Sequence, residues 1–145
     1  MYEVVLRIHI VVSSIFFLLA LIVTSWAIIG WSRNLKSNRA FRRLSFFFIH
    51  FLYIQLFTGI GLYFFFKPET QLAGYTLEQA AAENEFRFWA IEHVSLMLFA
   101  LILSQVGRLF IKQLNNDRKK FRAASLYFGV SFIVVLTSAA LALFR

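Results

Sequence analysis

The sequence predicts an all-α integral membrane protein, an antiparallel four-helix bundle formed by one transmembrane domain over residues 1–145. Three observations predict it. The chain is 60% hydrophobic and 19% aromatic, above the roughly one-half apolar share of a soluble domain, and its mean hydropathy is +0.71. Four apolar runs each reach the ~20 residues a helix needs to cross hydrocarbon. The charges gather in three stretches between those runs. There is one proline, there are six glycines, and the absence of cysteine rules out disulfides and thiolate metal sites. The net charge of +8 lies beside apolar segments. It therefore reads as loops on the cytoplasmic face, not as a nucleic-acid surface.

The first span is expected at about 4–31. Its apolar run is longer than a signal-peptide core, so it reads as a retained helix. Arg7 and His9 lie near its start, with Trp26 and Trp31 toward the other end, as in an interfacial aromatic belt. A basic loop, 32–44, carries Arg33, Lys36, Arg39, Arg42 and Arg43 and no acid. The second span, about 45–66, holds His50 in its first third. Gly59 and Gly61 lie beyond its middle, where a neighbouring helix or a flat cofactor can approach closely. Pro68 ends it. The polar stretch 67–87 is mostly acidic, and Thr76 with Gln79 has the spacing of a capping box, which predicts a short surface helix over 77–84.

The third span, about 88–111, contains Glu92 and His93. A second basic loop follows, and the fourth span, about 123–144, has no ionisable residue. The first and third loops carry five and six Lys/Arg and the middle loop two. By the positive-inside rule the basic loops face the cytoplasm, and both termini face the periplasmic side of a bacterial inner membrane. Such a multi-pass chain has the lipid bilayer as its surroundings. Its apolar outer surface also suits other membrane subunits or a homo-oligomer.

His9, His50 and His93 are the only histidines, and all three lie inside spans. An ionisable group at membrane depth costs on the order of 3 kcal/mol and usually faces the bundle interior. Two imidazoles from facing helices are the usual ligands of haem b in a helical bundle. At 1.5 Å per residue, His93 lies roughly 9 Å and His9 roughly 13 Å from the middle of their spans, on the same side. His50 lies roughly 7 Å from the middle on the other side, about 16 Å in height from His93. His9 and His93 are therefore the pair expected to bracket one iron, near the periplasmic face. Each begins a stripe at helical spacing: His9, Val12, Ser13, Phe16 and Ala20; and His93, Leu96, Met97, Ala100 and Ser104.

Arg7 is a candidate partner for a haem propionate, or a snorkelling interfacial arginine. Glu92 is rotated about 100° from His93. It is a candidate to accept a bond from His9, to pair with Arg7, or to relay protons to a quinone. His50 is open between a structural histidine, a quinone ligand and a ligand of a second haem shared with another subunit.

The runs RIHIVVSSIFF, IHFLYIQLFTGIGLYF and FWAIEHVSLMLFALILSQVGR resemble small four-helix bacterial membrane proteins labelled cytochrome b-like. The likeness extends over nearly the whole chain, and its most specific piece is Phe88 to His93. It implies haem b, with His9 and His93 as the carried-over ligands. A more distant likeness is to the HemJ-type protoporphyrinogen oxidase, which has four spans, an early histidine and haem. That family carries a lysine shortly after the start of its third span, where this chain reads His93-Val94-Ser95-Leu96. Three readings follow. The first is a b-type cytochrome passing electrons between a quinone pool and a partner. The second is an oxidase of haem synthesis, and the third is a non-catalytic accessory subunit of a larger membrane complex. No nucleophile elbow, phosphate-binding glycine loop or metalloprotease helix motif is present.

Overall fold

A computed structural model describes residues 1–64, 77–82 and 87–144. Helix α1 spans Tyr2–Ser32, α2 Arg39–Phe64, and a short α3 Leu77–Ala82. A π-helical turn, Phe88–Glu92, leads directly into α4, His93–Gln113, and α5 spans Asp117–Leu143. Four helical segments, with the π turn and α4 counted as one, are each long and apolar enough to cross a membrane. The expected α3 is present. Thr76, the proposed cap, and residues 83 and 84 lie outside the described residues.

Two helices begin earlier than hydropathy suggests. α2 starts at Arg39, not at 45, and α5 at Asp117, not at 123. A charge ends an apolar run, but Lys and Arg are good helix formers and do not end a helix. Asparagine caps set the starts. Asn38 Oδ1 accepts from the Phe41 amide at 2.8 Å, and Asn116 Oδ1 from the Lys119 amide at 3.1 Å, satisfying amides with no partner inside the helix. At the end of α1, Asn34 takes φ 52°, and the Leu35 amide reaches back to Gly30 O at 3.0 Å. This is a Schellman-type stop, with asparagine standing where glycine is commoner. The first basic loop is thus only residues 33–38, and Arg39, Arg42 and Arg43 ride on a helix.

α1 packs on α2 and α5, and α4 packs on α5 and α2. α1 and α4 are therefore diagonal partners. The core faces are small or aromatic at helical spacing: Phe16, Ala20, Val23, Ala27 and Gly30 on α1, and Met97, Ala100, Leu101, Ser104 and Gly107 on α4. Phenylalanines fill the middle and the end beside the basic loops. Phe48 meets Phe16 at 5.2 Å and Phe128 at 5.1 Å between centroids, and Phe41 meets Phe121 at 4.8 Å. Toward the termini the core becomes polar, with Ser13, Gln55, Thr58 and the two histidines His9 and His93. The outer surface carries Leu18, Phe57, Leu109 and Ile133, exposed by 59% to 67%, as a lipid-facing surface requires.

Trp31 lies at the basic end with the Arg122 guanidinium 5.9 Å from its ring centroid. Trp26 instead packs inward on Phe41 at 6.0 Å.

Gly107 permits the close approach of α4 and α5, because a Cβ there would collide with Cβ of Tyr127. A Cβ on Gly59 would sit 3.5 Å from His9 Cε1, an ordinary contact. Gly107→Ala should therefore cost about 1–3 kcal/mol by overpacking and lower the thermal midpoint in detergent, with Gly59→Ala close to wild type. Equal midpoints for the two variants would show that the α4–α5 contact does not need the glycine.

Candidate functional site

The site is built at the polar end of the bundle. His9 and His93 both lie on the core-facing stripes of their helices: Phe16 and Ala20 continue one inward and are buried, as are Met97, Ala100 and Ser104 on the other. The expected stripes are therefore the packing faces. Because α1 and α4 are diagonal, the two imidazoles sit on helices that face each other across the bundle axis.

Each ring is held by a hydroxyl on a neighbouring helix. His9 Nδ1 is 2.8 Å from Thr58 Oγ1 on α2. The Thr58 hydroxyl has one proton, which reaches Ile54 O at 2.8 Å or Gln55 O at 3.2 Å. With the proton so placed the oxygen accepts, and in that ligating tautomer His9 donates from Nδ1 and leaves the Nε2 lone pair open. His93 Nδ1 is 2.8 Å from Oγ of Ser138 on α5, and Ser138 is fully buried. In the ligating tautomer His93 Nδ1 donates to that oxygen. Nε2 of neither ring has a hydrogen-bond partner among the described residues.

Around His9 the polar cluster closes on itself. Ser13 Oγ lies 2.7 Å from His9 O and 3.0 Å from Gln55 Oε1, within reach of donating to either. Gln55 is buried, and its Nε2 donates to His9 O at 3.4 Å. His93 sits among aromatic rings supplied by the π turn, with Phe88 6.0 Å and Trp89 5.4 Å away between centroids. That turn exists because the His93 amide bonds Phe88 O, five residues back. Such one-turn bulges are common at functional sites, where they re-aim the following side chain.

The other candidates stand apart. Arg7 is exposed and lies about 200° round α1 from His9, so it does not share the face of that ring. Glu92 bonds Arg87 at 3.0 Å, with 45% and 36% of the Arg87 and Glu92 side chains exposed. The Nδ1 bond of His9 goes to Thr58 and not to Glu92. His50 bonds its own helix, Nδ1 to Phe46 O at 2.8 Å, and stacks on Phe46 at 3.7 Å. Its stripe continues through Ile54 and Phe57, which are exposed. With α2 starting at Arg39, His50 falls near mid-helix, still about 13 Å in height from His93.

Thr58, Ser138 and Gln55 were not singled out from sequence. A search for polar residues at the depth of each histidine would have found them, since a buried imidazole needs a partner for its N–H. Among the described residues no three His, Cys, Asp or Glu converge as a bare metal ion would need. Two imidazoles suffice only where a ligand supplies the rest of the coordination sphere. Comparison with known protein families, curated proteins and solved structures finds no match.

The Arg87–Glu92 pair is half-exposed, and such pairs contribute at most about 1 kcal/mol. Glu92→Gln should leave the thermal midpoint in detergent within about 4 °C of wild type. A large drop would assign the carboxylate a structural load beyond this pair.

Proposed function

We propose that the chain is a membrane b-type cytochrome whose haem is held by His9 and His93 and exchanges electrons with a quinone or a partner complex. The observation that carries this reading is a pair of imidazoles on the core-facing stripes of diagonal helices, each oriented through Nδ1 by a hydroxyl and each with an Nε2 that has no hydrogen-bond partner among the described residues. Ligating histidines characteristically donate their other ring N–H in this way, which fixes ring orientation and raises basicity. The donor set fits haem because the porphyrin supplies the remaining nitrogens. When bound, haem supplies a one-electron iron couple that a chain without cysteine or flavin-type motifs otherwise lacks.

The protein's own part follows from its geometry. Thr58 and Ser138 hold the rings, and Phe88 and Trp89 wall the His93 side. The phenylalanine core closes the bundle on the side of the basic loops. With both histidines toward the end bearing the termini, the electron would be handled near the periplasmic face of a bacterial inner membrane, in the orientation set by the basic loops.

The test is an absorption spectrum of the detergent-purified protein, oxidised and then dithionite-reduced. A sharp low-spin b-type spectrum is expected. His9→Ala and His93→Ala should each abolish it, and His50→Ala should retain it. Thr58→Val should weaken haem retention by roughly tenfold to a hundredfold, the usual effect of losing a partner behind a ligand. A folded protein that stays colourless when haem is supplied would overturn the reading and leave an accessory subunit.

A further inference from the structure

The second feature of the molecule lies at the opposite end of the bundle and does not depend on the haem reading. A cleft of about 920 Å³ opens between the start of α2, the end of α4 and the start of α5. Six cations line it: Arg39, Arg42 and Arg43 from α2, Arg108 and Lys112 from α4, and Lys120 from α5. Among the described residues only Lys120 has an acidic partner, Asp117 at 3.6 Å. Ser37 and Ser45 apart, the other lining residues are apolar, and Phe46 and Phe47 among them are exposed, 40% and 49% accessible.

The positive-inside rule asks only for cations in loops. Here all six belong to helices long enough to cross the bilayer, and three helices bring them to one concavity. Arg108 is held in place over the Phe46 ring, 5.1 Å from its centroid. Concentrated like charge without acids is stabilised by an anion, and a cleft with apolar flanks at the membrane boundary suits an anion attached to acyl chains. Basic clefts between membrane helices on the cytoplasmic side have this chemistry.

We propose that this cleft binds the phosphate headgroup of an anionic phospholipid, with its acyl chains lying along Phe46 and Phe47. Arg42, Arg43 and Arg108 take the phosphate oxygens, since the guanidinium fork matches them.

The experiment is native mass spectrometry of the purified full chain in neutral detergent, with graded phosphatidylglycerol, cardiolipin or phosphatidylcholine. Wild type should retain the two anionic lipids and release phosphatidylcholine. The double variant Arg42→Gln/Arg108→Gln should lose about thirtyfold in anionic-lipid retention. Arg33→Gln/Lys36→Gln, which removes two cations outside the cleft, should match wild type. If the first double variant does not fold, Arg43→Gln/Lys112→Gln carries the same test. Equal retention of phosphatidylcholine would overturn the proposal in favour of acyl-chain binding without headgroup recognition, and equal loss in the Arg33/Lys36 control would overturn it in favour of a general surface charge. Displacement of lipid by millimolar inorganic pyrophosphate alone would overturn it in favour of a soluble phosphate compound.

Discussion

Hydrocarbon offers no hydrogen-bond partner, so every polar group carried into it must be satisfied from within the bundle. That constraint organises this molecule, with the buried Thr24 hydroxyl on α1 an exception among the described residues. Backbone groups meet it by remaining helical. Ser104 and Ser131 meet it by donating to carbonyls four residues back on their own helices. The two core histidines cannot, because their rings project away from their own backbone. They bond to neighbours instead: His9 to Thr58 and His93 to Ser138. Each bond ties one helix of a diagonal pair to an adjacent helix, so the polar end of the bundle is held by the same contacts that aim the rings.

The bundle consequently has two ends of different chemistry. At the basic end, phenylalanine packing seals the interior, and the cations are expelled to a cleft on the rim. At the end bearing the termini, Thr58, Gln55 and Ser138 meet the two core histidines with polar atoms. Gly107 and Gly30 bring the helices close where rings pack, and close helix approach is what a membrane bundle has in place of a hydrophobic driving force. Under the proposed function, this separation puts electron chemistry near one membrane face and lipid anchorage at the other.

His50 shows how the same residue type divides by environment. It has the same membrane-embedded position in sequence as its two counterparts, yet its ring folds back on Phe46 O and its helix face continues into exposed residues. A helix can satisfy one imidazole alone when the ring lies along its own surface. It cannot do so when the ring points across the core. Glu92 divides similarly: its carboxylate bonds Arg87, five residues earlier, where both side chains are partly exposed.

Apolar run lengths were sufficient for the four-helix membrane architecture, because a span must bury about 20 residues' worth of hydrocarbon whatever its neighbours do. The 3.6-residue period was likewise sufficient to put His9 and His93 on core-facing stripes. Helices α2 and α5 begin six residues before the apolar spans read at 45 and 123, since hydropathy registers charge while helix capping by Asn38 and Asn116 is a matter of local hydrogen bonding. Thr58, Ser138 and Gln55 were not legible, because nothing in a linear chain says which hydroxyl will lie beside which ring. The convergence of Arg42, Arg108 and Lys120 on one cleft was equally hidden. Sequence by itself determined which segments leave water and which faces turn inward, as both follow from local composition and periodicity. Tertiary structure alone decided which helices are diagonal and which polar atoms meet, because those depend on the relative placement of separate helices.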